Sequence, residues 1–176
     1  MQVKLSQAVK MFFTNSSLEM VYFEAVANAI DAHATEINIH IKMETESNLS
    51  SLVITIEDNG IGFTEERYKK FVKLFNVDED SHKGLGRLVY RFYFNDVNII
   101  SYFDKTKKRE FVFNEEMSEN DKNITTVDER KSGTKLTLKS YSLQKIAKNN
   151  YISVKYLKLR ILEEFYSLFF QKKKKQ

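Results

Sequence analysis

Glu24-Ala25-Val26-Ala27-Asn28-Ala29-Ile30-Asp31-Ala32 is the stretch on which the reading of this chain turns. In a helix, at about 100° per residue, Glu24, Asn28 and Asp31 fall within roughly 60° of one another. Leu18, Tyr22, Ala25, Val26 and Ala29 take the opposite side. One face is therefore built to pack on a sheet, and the other is a narrow stripe of two acids and an amide. A solvated helix face is the plainer explanation. Such a face usually mixes charge signs, whereas this stripe holds no lysine or arginine. A carboxylate and an amide one turn apart can hold a water and a hard cation together.

Downstream, Ile37, Ile39 and Ile41 alternate with Asn38, His40 and Lys42, the period of a half-buried strand. After a polar turn, Leu52, Ile54 and Ile56 share one face of a second strand, 52–57, and the short loop predicts an antiparallel pair. That strand runs into Asp58-Asn59-Gly60-Ile61-Gly62-Phe63. Asn-Gly favours an ordinary tight turn. The functional alternative is that Asp58, fixed at a strand end, accepts a hydrogen bond from a ligand amino group. Gly60 and Gly62 then allow close approach of backbone and ligand.

Upstream, Ser16 or Ser17 is expected to cap a helix over 18–34. A further helix is expected over 64–75, with Thr64-Glu65-Glu66 as its acidic start. After a polar segment, 76–83, Lys83-Gly84-Leu85-Gly86-Arg87 opens a helix running to about Tyr93. Helix-start amides flanked by cations suit an anion, but the spacing is not that of a Walker loop. Strands are expected over 97–103, 109–114, 124–127 and 134–139, the last entered through Gly133-Thr134. An apolar helix covers 154–170. Helix, strands, helices, strands, helix is an α+β order. It predicts a two-layer sandwich with helices on one face of a mixed, mostly antiparallel sheet.

Composition sets the limits. The 176 residues make one domain, with 42% hydrophobic and 30% charged residues, as in an ordinary globular protein. There is no cysteine, which excludes disulfides and thiolate metal sites and makes a reducing cytoplasm the simplest compartment. No signal-peptide pattern and no membrane-spanning run is present. The net charge of +4 owes something to the basic tail at 172–176; it permits an acidic ligand without requiring nucleic acid. His33, His40 and His82 have no metal-ligand spacing.

Taken in order, the four elements around Glu24, Asp58, Gly84 and Thr134 resemble the GHKL ATPase family of gyrase B, the large ATP-driven heat-shock chaperone, histidine kinases and MutL. The likeness runs from about Leu18 to Leu138, and its first motif looks most like MutL-type ATPases. It implies the Bergerat-type ATP-binding fold, with ATP and Mg²⁺ as cofactors. Residue by residue, it implies that Glu24 is the general base for the attacking water and Asn28 the Mg²⁺ ligand. Asp58 recognises the adenine amino group, with Gly62 beneath the base, Gly60 in the same nucleotide-binding motif and Thr134 in support. Gly84 and Gly86 belong to the phosphate-covering lid, Lys83 and Arg87 contact phosphate, and Asp31 lies near the base pocket.

Three functions stay open. One is an ATPase driving a conformational switch. Another is a histidine kinase catalytic domain, against which Glu24 counts because those kinases need no water-activating base at that place. The third is a non-hydrolysing nucleotide module of a larger assembly. The short polar lid departs from that of MutL, and no second domain supplies a γ-phosphate lysine. The chain is therefore expected to be the N-terminal part of a longer protein. Further partners, and an ATP-dependent homodimer formed through an N-terminal arm at 1–15, go with that expectation.

Overall fold

The computed structural model describes Val9 and residues 13–73, 85–114 and 116–173. Six strands form one sheet: β1 (Ile37–Lys42), β2 (Val53–Asp58), β3 (Phe94–Phe103), β4 (Lys107–Val112), β5 (Ile124–Thr126) and β6 (Gly133–Tyr141). Their order is β1-β2-β6-β3-β4-β5, so the last strand made is inserted between β2 and β3. Among the described residues every pairing is antiparallel, where a mixed, mostly antiparallel sheet was expected.

Among the described residues the helices that accompany the sheet include α1 (Glu19–Asp31), α2 (Glu65–Val72), α3 (Leu88–Tyr93), which follows a 3₁₀ turn at Leu85–Arg87, and α4 (Val154–Lys173). Ile54, Ile56, Val97, Ile99, Leu136 and Leu138 are buried, and they alternate with half-exposed or exposed residues such as Thr55, Glu57, Lys135 and Thr137. Lys135 and Glu57 pair at 2.7 Å among the latter. One face of the sheet is thus core and the other is wet, as the period-2 pattern requires. β1 is an edge strand, which is why its isoleucines are only partly covered.

The serine cap expected for α1 does not form. Leu18 is the N-cap and makes no side-chain cap bond, because the Ser16 hydroxyl donates instead to Phe13 O at 2.7 Å and meets Tyr93 Oη at 3.0 Å. The helix ends at Asp31, and His33 closes it at φ 60, a left-handed turn filled without glycine. Thr64 does cap α2, accepting from the Arg67 amide.

Of the expected arm, Val9 and Phe13 are buried in the core, and the rest of residues 1–12 lie outside the described residues. α4 packs Leu157 and Phe165 inward while Leu159, Leu162 and Tyr166 stay exposed. It is tied to the start of α1 by Arg160, whose Nε donates to the buried Glu19 carboxylate at 2.9 Å. Among the described residues no helix is long and apolar enough to cross a membrane.

Candidate functional site

A cleft of about 210 Å³ lies between α1 and the sheet. Asn28 and Asp31 from α1, Asp58 from the end of β2, Gly62 from the loop behind it, Thr134 from β6 and Arg87 ahead of α3 all line it. Asn28 and Thr134, 106 positions apart in sequence, meet here because β6 is inserted beside β2.

Asp58 is held rather than free. Its Oδ1 accepts the Gly60 amide at 2.8 Å. Burial raises its pKa, while the Gly60 amide, the charge of Arg67 and the Thr134 amide oppose the rise. Asn59 ties the loop to the end of α1: its Oδ1 accepts from the Thr35 and Glu36 amides at 2.8 and 3.0 Å. Gly60 packs on Ala32, and a side chain there would stand 2.6 Å from Ala32 O. Gly62, at φ +75, has its Cβ position filled by Tyr102 O and by Ser101 Oγ at 2.7 Å. Both glycines of this motif are therefore demanded by packing against backbone.

Glu24 and Asn28 meet as the helical period predicts. Asn28 Nδ2 donates to Glu24 Oε1 at 3.1 Å and lies 3.4 Å from Tyr90 Oη. Burial raises the Glu24 pKa, against the Asn28 hydrogen bond and the charge of Arg87. Arg87 in turn is pushed down to about 10 by burial, with Glu24 opposing. Its Nη1 donates to Phe71 O at 3.0 Å, and its guanidinium lies 4.2 Å from the Phe71 ring centre. Gly86 lies directly against the Glu24 carboxylate, where any Cβ would collide with it. Lys83 and Gly84 fall outside the described residues.

Two cations of the cleft were not legible as site residues. Arg67 and Lys70 sit three apart on α2 and line the cleft. Arg67 Nη1 donates to Asp31 O at 3.0 Å and its Nη2 to Asn28 O at 3.4 Å, which caps the carbonyl end of α1. Their i, i+3 spacing was the available signal, but on a helix that also carries Glu65, Glu66 and Lys69 it reads as ordinary surface.

The family described as "Histidine kinase-, DNA gyrase B-, and HSP90-like ATPase" matches residues 16–142. The chain belongs to this ATPase family. Membership supports ATP binding by this chain, and the matched span contains every motif described above. Among solved structures, the chain is similar to the "Crystal Structure of N terminal domain of a DNA repair protein", at 19% identity and a TM-score of 0.52. The alignment covers 93% of this chain and 43% of that one, so the chain spans less than half the neighbour's length. At that identity the likeness is one of fold. No curated protein matches by sequence.

Proposed function

We propose that this GHKL-type domain binds ATP with Mg²⁺ in the cleft, hydrolyses it slowly and uses the nucleotide state to drive a conformational switch. The observation that carries the reading is the placing of Asp58 and Thr134 side by side at the cleft floor, with Glu24 and Asn28 joined at its rim. A partly buried carboxylate at a strand end suits an exocyclic amino group. It rejects a carbonyl oxygen, which would face it acceptor to acceptor.

The residues present fit a hard cation. Asn28 spends its amide nitrogen on Glu24, which turns its carbonyl oxygen away as a cation ligand. Among the described residues no group of three or more His, Cys, Asp or Glu could hold a metal alone, so the remaining oxygens would come from phosphates and water. When bound, Mg²⁺ would neutralise phosphate charge there. Glu24, raised in pKa by burial, is placed to take a proton from water; Arg87 and Lys83 are the residues for the phosphates.

A non-hydrolysing nucleotide module is the second reading, favoured by one contact: Gly86 rests on the Glu24 carboxylate and covers it. The histidine kinase reading is weakened by Glu24 itself.

Thermal unfolding tests the binding. ATP at a hundredfold excess over Kd adds about 2.7 kcal/mol, a shift of several degrees, whereas GTP gives little and Asp58→Ala abolishes the ATP shift. Equal stabilisation by ATP and GTP would overturn the reading.

A further inference from the structure

Beneath the cleft a polar row crosses the sheet. Asp58 stands opposite Thr134, Thr134 opposite Ser101, and Ser101 opposite Arg109. Residues directly opposite in antiparallel strands share a face, so β2, β6, β3 and β4 each give one polar side chain to one line. The two members farthest from Asp58 are enclosed, Ser101 at 0% and Arg109 at 1% exposure. A hydroxyl and a guanidinium on a face that also buries Ile99, Phe103, Phe111 and Leu136 are costly unless their hydrogen bonds are made.

Both spend those bonds on the same residue. The Phe63 amide donates to Ser101 Oγ at 2.7 Å, and Arg109 Nε donates to Phe63 O at 3.2 Å. Phe63 follows Gly62, and both line the cleft. Ser101 also donates to Gly133 O at 3.1 Å, and its Oγ lies 3.3 Å from Thr134 Oγ1. Arg109 is fixed in turn by Asn123 Oδ1 at 2.8 Å, Glu65 Oε1 at 2.8 Å and the Tyr68 ring, 4.1 Å below its guanidinium. The backbone at Phe63 is therefore gripped from both sides by adjacent strands, and one of the grips touches the threonine beside Asp58.

We propose that Ser101 and Arg109 are positioning residues for base recognition: they fix the Gly62–Phe63 floor relative to Asp58 and Thr134, and so set how sharply the cleft separates a purine amino group from a carbonyl oxygen. The proposal rests on the nucleotide reading above. Neither residue touches the ligand. A carboxylate tells donor from acceptor only when the ring is held at hydrogen-bond distance, within about 0.5 Å, and that distance is what the floor sets.

The test compares affinities for ATP and for inosine triphosphate, which carries a carbonyl oxygen in place of the amino group. The parent binds ATP more tightly. Ser101→Ala narrows that preference roughly tenfold, the scale of one lost buried hydrogen bond, while affinity for inosine triphosphate stays nearly constant. Arg109→Lys, which keeps the charge and loses the fork, narrows it in the same direction; it carries the test alone if Ser101→Ala does not fold. In an Asp58→Asn background, Ser101→Ala adds nothing, because it acts through the same discrimination.

A role confined to stability weakens both nucleotides alike. An unchanged ratio in the folded variants, or a full additional fall in the Asp58→Asn background, overturns the proposal. A parent that binds neither nucleotide, or binds both equally, defeats the nucleotide reading itself and this inference with it.

Discussion

Asn28 donates its side-chain amide to the carboxylate of Glu24 one helical turn earlier, at 3.1 Å, and that carboxylate lies against Gly86. The contact joins the residue proposed to hold the cation to the residue proposed to activate water. On the proposed reading it also divides the labour, because the amide uses its nitrogen on Glu24 and would leave its oxygen for a cation.

Glu24 is expected to separate binding from turnover. A positioned general base contributes about 10²–10⁴ in rate, whereas the bound nucleotide barely needs it. Glu24→Gln keeps the hydrogen-bonding shape toward Asn28, so ATP affinity stays within a few-fold while hydrolysis falls to background. Phosphate release and equilibrium binding measured on the same preparation check this. A variant that hydrolyses ATP at the parent rate places the base elsewhere.

Asn28→Ala should act through the metal. ATP with Mg²⁺ loses affinity strongly and ADP without metal loses little, since the amide oxygen serves the cation rather than the base. Titration of both ligands into both proteins decides it, and identical losses would make Asn28 a structural residue alone.

The two glycines at Gly62 and Gly86 are expected to respond differently to the same substitution. At Gly62 an added Cβ meets the Tyr102 carbonyl and sits at φ +75. A left-handed non-glycine residue costs roughly 1–2 kcal/mol before the collision is counted, so Gly62→Ala lowers the unfolding midpoint and weakens ATP. At Gly86 the obstacle is the end of a flexible side chain, the Glu24 carboxylate. Gly86→Ala is expected to fold with the parent's midpoint, bind ATP and lose hydrolysis because Glu24 is displaced. Calorimetry and a turnover assay on the pair test the contrast; equal destabilisation of both variants contradicts it.

The parts of this site governed by local periodicity could be read from the chain directly. Glu24, Asn28 and Asp31 share a helix face because three and four residues make one turn, and Leu52, Ile54 and Ile56 are buried together because strands alternate. What could not be read was long-range register. Nothing local says that β6 enters between β2 and β3, and that insertion alone sets Thr134 opposite both Asp58 and Ser101. Ser101 sits in a strand where a lone serine reads as neutral, and Arg109 follows two lysines, so its burial is invisible in composition. The serine cap of α1 failed in part for a similar reason, as the Ser16 hydroxyl is taken by the nearby Phe13 carbonyl and by Tyr93, 77 residues away.

The last prediction concerns the switch. An ATPase of this family that works by a conformational change needs a second state selected by nucleotide, and a ligand shifts an equilibrium only by its differential affinity for the two states. The phosphates would meet Arg87 and Gly86, which rests on the Glu24 carboxylate, so binding there would have a direct mechanical consequence at Glu24. The chain is expected to be a monomer without nucleotide and to dimerise weakly with a non-hydrolysable ATP analogue and Mg²⁺. Light scattering at high protein concentration, with and without the analogue, reads the mass. The arm cannot simply be cut away to test its part: deleting residues 1–14 removes Val9 and Phe13 from the core, so loss of the dimer in that variant counts only if its unfolding midpoint stays well above the measuring temperature. Glu24→Gln should hold the dimer with ATP itself, because the nucleotide is bound and not consumed. A monomer mass in every state would remove the dimer switch and leave the nucleotide-binding module as the better account.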